Sequence, residues 1–120
     1  MIQIHLEHLQ FYAYHGLFKE ERLVGNDFIV DIKLDYLPDK KIIDSIDETI
    51  DYSKVYEMIA QRMKTPSELL ETIATEFCYQ LMGTYESVQS IQFSIKKLHP
   101  PIKQFIGNVG VSFQLNRSEL

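Results

Sequence analysis

The chain has 120 residues, 45% apolar and 24% charged, the composition of one soluble globular domain covering residues 1–120. A net charge of −5, with basic residues clustered only as the pairs Lys40-Lys41 and Lys96-Lys97, argues against nucleic acid as a partner, because such binders present a basic face. The single cysteine rules out an intrachain disulfide and a multi-cysteine zinc site, no apolar run nears the roughly 20 residues of a membrane span, and MIQIHLEHLQ is not a secretory leader, so a cytoplasmic protein is expected.

Residues 2–8 alternate, with Ile2, Ile4 and Leu6 on one face and Gln3, His5 and Glu7 on the other, which predicts a strand. The apolar set then changes parity to Leu9, Phe11 and Ala13. A one-residue slip turns every side chain over unless a bulge absorbs it, so a bulge or bend is expected near His8-Leu9. The charged run after His15-Gly16 reads as a loop. Phe28, Val30, Ile32, Leu34 and Tyr36 define a second strand, closed by the turn chemistry of Pro38-Asp39.

Asp51 to Met63 reads as a helix, since Tyr52, Val55, Tyr56, Ile59 and Met63 recur every three or four residues, with Asp51 or Ser53 as cap. Thr65-Pro66-Ser67-Glu68 has the form of a second helix start, with Thr65 as cap and Pro66 in the first turn. The stripe Leu69, Leu70, Ile73, Ala74, Phe77 and Leu81 follows, and Gly83 is a stop signal. Cys78 lies on this stripe and reads as a small buried apolar residue. Val88–Lys97 and Val109–Leu115 alternate as two further strands, joined by the proline-containing loop LHPPIKQFIGN. The order β-β-α-α-β-β predicts an α+β fold, a four-stranded antiparallel sheet with two helices on one face.

Four places could carry chemistry. Lys97 continues the core-facing row Ile91, Phe93, Ile95, whereas Lys96 falls on the polar row. Lys97 either snorkels to solvent or is a partly desolvated amine able to move a proton. Glu71 lies about 100° from Leu70, at the border of the helical stripe and near a helix start. It is either a first-turn acid or a carboxylate that grips a guanidine-like edge with two hydrogen bonds. Tyr52 is either a packing residue or a proton relay. His15 and the acids Glu20 and Glu21 cluster around Gly16. The four histidines lack His-x-x-x-His spacing, so no metal site is expected. Phosphate-binding glycine loops and a G-x-S-x-G elbow are absent.

Taken together, the segments FYAYHGLFKEERLVGNDFIVDI, ETIDYSKVYEMI, LLETIATEF, IKKLHPPI and VGVSFQL resemble, in order and spacing, the dihydroneopterin aldolase family. The resemblance implies the tunnelling fold, with sheets of neighbouring subunits joined into a tetrameric ring and two rings stacked into an octamer. It implies retro-aldol cleavage of 7,8-dihydroneopterin, a step of folate biosynthesis, to 6-hydroxymethyl-7,8-dihydropterin and glycolaldehyde, with a 2′-epimerase side activity and no cofactor. By this resemblance Lys97 moves the side-chain hydroxyl proton, Glu21 binds the substrate side chain, and Tyr52, from a neighbouring subunit, assists reprotonation. Glu71 grips the 2-amino and N3–H edge, and Leu70 and Ile50 flank the ring. Two departures are the Lys96-Lys97 doublet, resolved by parity in favour of Lys97, and Gly107-Asn108 where Asp-Gly is common. Alternative readings are an epimerase acting on the triphosphate and a non-catalytic pterin- or purine-binding oligomer.

Overall fold

The computed structural model describes residues 1–120. Strands β1 (Ile2–Ala13), β2 (Asn26–Tyr36), β3 (Val88–Lys97) and β4 (Val109–Asn116) form one antiparallel sheet in chain order. A short helix α1 (Lys19–Val24) lies between β1 and β2, and the helices α2 (Tyr52–Met63) and α3 (Leu70–Thr84) between β2 and β3. Val55 and Ile59 of α2 and Ile73 and Phe77 of α3 share one core with Phe28, Val30, Ile32, Phe93 and Ile95 of the sheet. The Phe77 and Phe93 rings meet at 5.4 Å. Burying each such side chain contributes about 1.5–3 kcal/mol, so the alternation in β2 and β3 fixes which face the helices cover. The uncovered face carries Asp31, Lys33, Gln92, Ser94, Ser112 and Gln114. No helix is long and apolar enough to cross a membrane.

The parity change in β1 is a bulge. Leu6 pairs with Ile32 and Leu9 with Val30, so β1 spends one extra residue there and both apolar sets face the core. His8 takes the left-handed conformation, at φ 59°. Its displaced N–H donates to Asp31 Oδ1 at 2.8 Å, so the lost ladder bond is replaced. Of the two candidate caps for α2, Asp51 serves, accepting from the Ser53 N–H at 2.9 Å.

Three expectations from the sequence are corrected. The charged run is not all loop, because Lys19–Val24 is helical, with the Phe18 N–H donating to Glu21 Oε1 at 3.3 Å. The second long helix does not start at Thr65-Pro66; it starts at Leu70, after Leu69. Tertiary bonds hold the intervening segment out of the helix. Ser67 O accepts from Gly16 N (2.9 Å), Ser67 N donates to His15 Nδ1 (3.0 Å), and the Arg62 guanidinium takes Thr65 O and the Ser67 hydroxyl. Nor does Gly83 stop this helix, which continues to Thr84. Arg117 donates to the carbonyls of Met82 and Tyr85, both at 2.8 Å, and so satisfies the helix end without a glycine cap.

Candidate active site

Lys97 is the last residue of β3, on its core-facing row and opposite Phe28 of β2. Only 11% of its side chain is exposed. An ammonium so placed needs a counter-charge, and α1 supplies it: Lys97 Nζ donates to Glu21 Oε2, and Glu21 is itself 8% exposed. The Phe28 ring, 6.0 Å from Nζ, floors the pair. Lys96 points to the opposite face and is exposed, while Glu20 is solvated.

The loop before α1 is shaped to this pair. A Cβ placed on Gly16 would lie 2.5 Å from both Cβ and Cδ of Glu21, so the Glu21 side chain packs directly on the glycine backbone. Arg22 Nη1 donates to the carbonyls of Gly16 and Leu17, at 3.1 and 3.0 Å. On the other side of the pair, Asn26 clamps the loop that follows Lys97. Its amide donates to His99 O at 2.7 Å and its carbonyl oxygen accepts from His99 N at 3.2 Å. Tyr12, Glu20, Glu21, Asn26, His99 and Pro101 line a cleft of about 340 Å³ here. A hollow of about 330 Å³ on the uncovered sheet face contains none of the candidate residues.

His15 is fully buried. Its Nδ1 accepts from Ser67 N, which places the proton of the neutral ring on Nε2. Burial, reinforced by the nearby charges of Arg62 and Lys97 and opposed by the Met63 carbonyl, pushes its pKa down to about 4. Sequence reasoning tied His15 only to the neighbouring acids. The usable signal was parity, because position 15 continues the inward series of Phe11 and Ala13.

Leu70 and Glu71 open α3 at the same end of the fold, since Ser67, just upstream, is bound to His15 and Gly16. Leu70 is buried, while Glu71 is exposed and its carboxylate makes no bond within the chain. Tyr52 and Ile50 lie elsewhere. The Tyr36 hydroxyl bonds Thr49 at 2.5 Å, placing this segment at the far end of β2. From Phe28 to Tyr36 the strand spans about 26 Å at ~3.3 Å per residue. Ile50 is buried and Tyr52 is 66% exposed. One chain therefore brings together Lys97 and Glu21, places Glu71 and Leu70 at their end of the sheet, and leaves Tyr52 and Ile50 at the other.

A sequence model of the family described as FolB, dihydroneopterin aldolase, matches residues 4–114. A dihydroneopterin aldolase from Streptococcus pyogenes is 34% identical, over 98% of this chain and 100% of that protein. Among solved structures, E. coli dihydroneopterin aldolase in complex with neopterin superposes with a TM-score of 0.83 at 18% identity, covering 97% of this chain and 100% of that one. The dihydroneopterin aldolase from Burkholderia thailendensis bound to guanine gives 0.75 at 18% identity, covering 97% and 91%.

Proposed function

The chain belongs to the dihydroneopterin aldolase family, and from that premise we propose that its buried Lys97–Glu21 pair drives retro-aldol cleavage of 7,8-dihydroneopterin. The pair is the observation that carries the reading. A lysine and a glutamate withdrawn from water and joined to each other can exchange a proton with a third group at little cost in reorganisation.

The substrate brings its own electron sink. The side-chain hydroxyl on C2′ gives up its proton, the C1′–C2′ bond breaks, and the bond electrons enter the adjoining ring C=N. Glycolaldehyde leaves, and the enamine is reprotonated at C1′ to give the hydroxymethyl product. Lys97 takes or relays the hydroxyl proton, with Glu21 as the neighbouring acceptor and as a hydrogen-bond partner of the substrate side chain. Glu71, unpaired within the chain, accepts two hydrogen bonds from the amino-pyrimidinone edge. That edge is common to neopterin and guanine, the ligands of two structural neighbours. Leu70 contacts the ring from the same helix turn.

Tyr52 completes the site from a second copy. The distance of about 26 Å along β2 supports this, because no side chain spans it. Ile50 arrives with Tyr52 on the same segment. β1 and β4 each pair with one strand only, so sheets can join edge to edge into a tetrameric ring, stacked as an octamer. The cytoplasm suits the free Cys78 thiol.

The test is product analysis. Purified protein incubated with 7,8-dihydroneopterin in excess EDTA should release glycolaldehyde, and Lys97→Ala should abolish release while binding 6-hydroxymethyl-7,8-dihydropterin nearly as wild type does. Undiminished turnover in Lys97→Ala would falsify the assignment. Pterin binding without any wild-type release would favour a binding protein.

A further inference from the structure

We propose that His15 is a positioning residue for this reaction: its neutral imidazole fixes the start of α3, and with it Glu71, relative to the loop that backs Glu21. The inference rests on the roles assigned to Glu71 and to the Lys97–Glu21 pair above. Two features single His15 out. It is fully buried and polar, and none of the chemistry uses it. It also stands at the junction of the two halves of the site.

The geometry is a two-way tie. Ser67 N donates to His15 Nδ1 at 3.0 Å, while Gly16 N donates to Ser67 O at 2.9 Å. Adjacent residues of the β1 exit thus grip both backbone groups of Ser67. Downstream, Leu69 precedes α3 and offers it no side-chain cap, so the bonds to Ser67 and the burial of Leu70 set where the helix starts. Upstream, Gly16 is the surface on which Glu21 packs. His15-Gly16 therefore sets the spacing between the group that would hold the pterin and the group that would move the proton. The Phe28 ring, edge-on at 5.3 Å and also beneath Lys97, keeps the imidazole from turning.

Charge enforces the same arrangement. A protonated imidazole donates from both nitrogens and cannot accept from Ser67. Arg62 of α2 and Lys97 of β3 both oppose that form. Nε2 carries the proton of the neutral ring and faces the Met63 carbonyl, while Nδ1 makes the bond to Ser67.

The test uses two substitutions of similar polarity that differ in where the acceptor falls. The amide oxygen of His15→Asn stands near the position of Nδ1, whereas the amide of His15→Gln reaches the position of Nε2. His15→Asn should keep KM for dihydroneopterin within about twofold of wild type. His15→Gln should raise KM roughly fivefold to tenfold while kcat stays within about threefold, because ground-state grip is lost and the proton-transfer pair is left in place. Equal kinetics for the two variants, or kcat falling with KM in step with melting temperature, would overturn the proposal.

Fluorescence titration with 6-hydroxymethyl-7,8-dihydropterin gives the same comparison as Kd. If wild type binds pterin but releases no glycolaldehyde, the aldolase reading fails and His15 is judged on Kd alone. Nitrogen-15 NMR of the wild-type imidazole needs no variant to fold. Near pH 6 it should show a neutral ring protonated on Nε2, and a charged ring or a proton on Nδ1 would refute the proposal.

Discussion

Replacing Gly16 with alanine should disable the site without touching a group that does chemistry. Gly16 φ lies outside the left-handed region, so the glycine is needed for space rather than for conformation. The added methyl would sit 2.5 Å from Glu21 Cβ and Cδ and 2.6 Å from Oε1. The carboxylate end can swing away, but Cβ is fixed to the α1 backbone. Carbon atoms rest about 3.5 Å apart, so α1 or the loop must move by about 1 Å. Either motion separates Glu21 from Lys97.

A misplacement of about 1 Å in a catalytic constellation costs on the order of 100-fold in rate. The fold should lose only about 1–3 kcal/mol, the usual cost of one methyl too many in a packed place. Gly16→Ala should therefore turn over dihydroneopterin about 100-fold more slowly, as measured by glycolaldehyde release. It should still melt cooperatively, a few degrees lower by calorimetry. A kcat within threefold of wild type would mean that Glu21 does not depend on this packing, and the geometric account of the pair would be wrong.

Glu71→Ala should raise KM roughly 100-fold with a smaller effect on kcat, since a charge-assisted bidentate contact is lost; steady-state kinetics decides it, and an unchanged KM sinks the pterin-gripping role. Subunits carrying Lys97→Ala and subunits carrying Tyr52→Ala, each inactive alone, should regain about one quarter of wild-type activity when unfolded together and reassembled at equal amounts, because each functional site in the proposed assembly draws one residue from each copy. No recovery would place both residues in one chain's site. The depressed His15 pKa of about 4, against 6.5 unfolded, makes the unfolded chain bind the extra proton between those values. Stability should thus be full above about pH 6.5 and fall by about 3 kcal/mol as pH drops to 4. Urea unfolding across that window should show the slope in wild type and a reduced slope in His15→Asn.

What was legible in the sequence followed from periodicity. Parity places β1, β2, β3 and β4, marks the bulge at which His8 takes its left-handed conformation, and puts Lys97 rather than Lys96 on the inner face. These succeed because a strand's side-chain period is two, and burial of one face is worth many kcal/mol. Local signatures did less well. Thr65-Pro66-Ser67-Glu68 has every mark of a helix start, yet a cap contributes only about 1 kcal/mol. Here the bonds of His15, Gly16 and Arg62 to Ser67 and Thr65 outweigh it. Those partners come from β1 and α2 and cannot be read from the segment itself.

The same contrast separates the parts of the site. Glu21 and Glu20 are adjacent acids in one charged run, and no local rule distinguishes a buried partner from a solvated neighbour. The distinction is made by Gly16, which leaves room on one side of α1, and by Lys97, which arrives from the other end of the chain. Both follow from the sheet: β1 delivers Gly16 and β3 delivers Lys97 to the same end because each flanks β2 in antiparallel register. By the same register, the connection after β2 carries Thr49 to Tyr52 to the opposite end. In this chain the strand order leaves Lys97 and Tyr52 at opposite ends of the sheet. The second copy in the proposed site therefore follows from the strand order, given the role proposed for Tyr52.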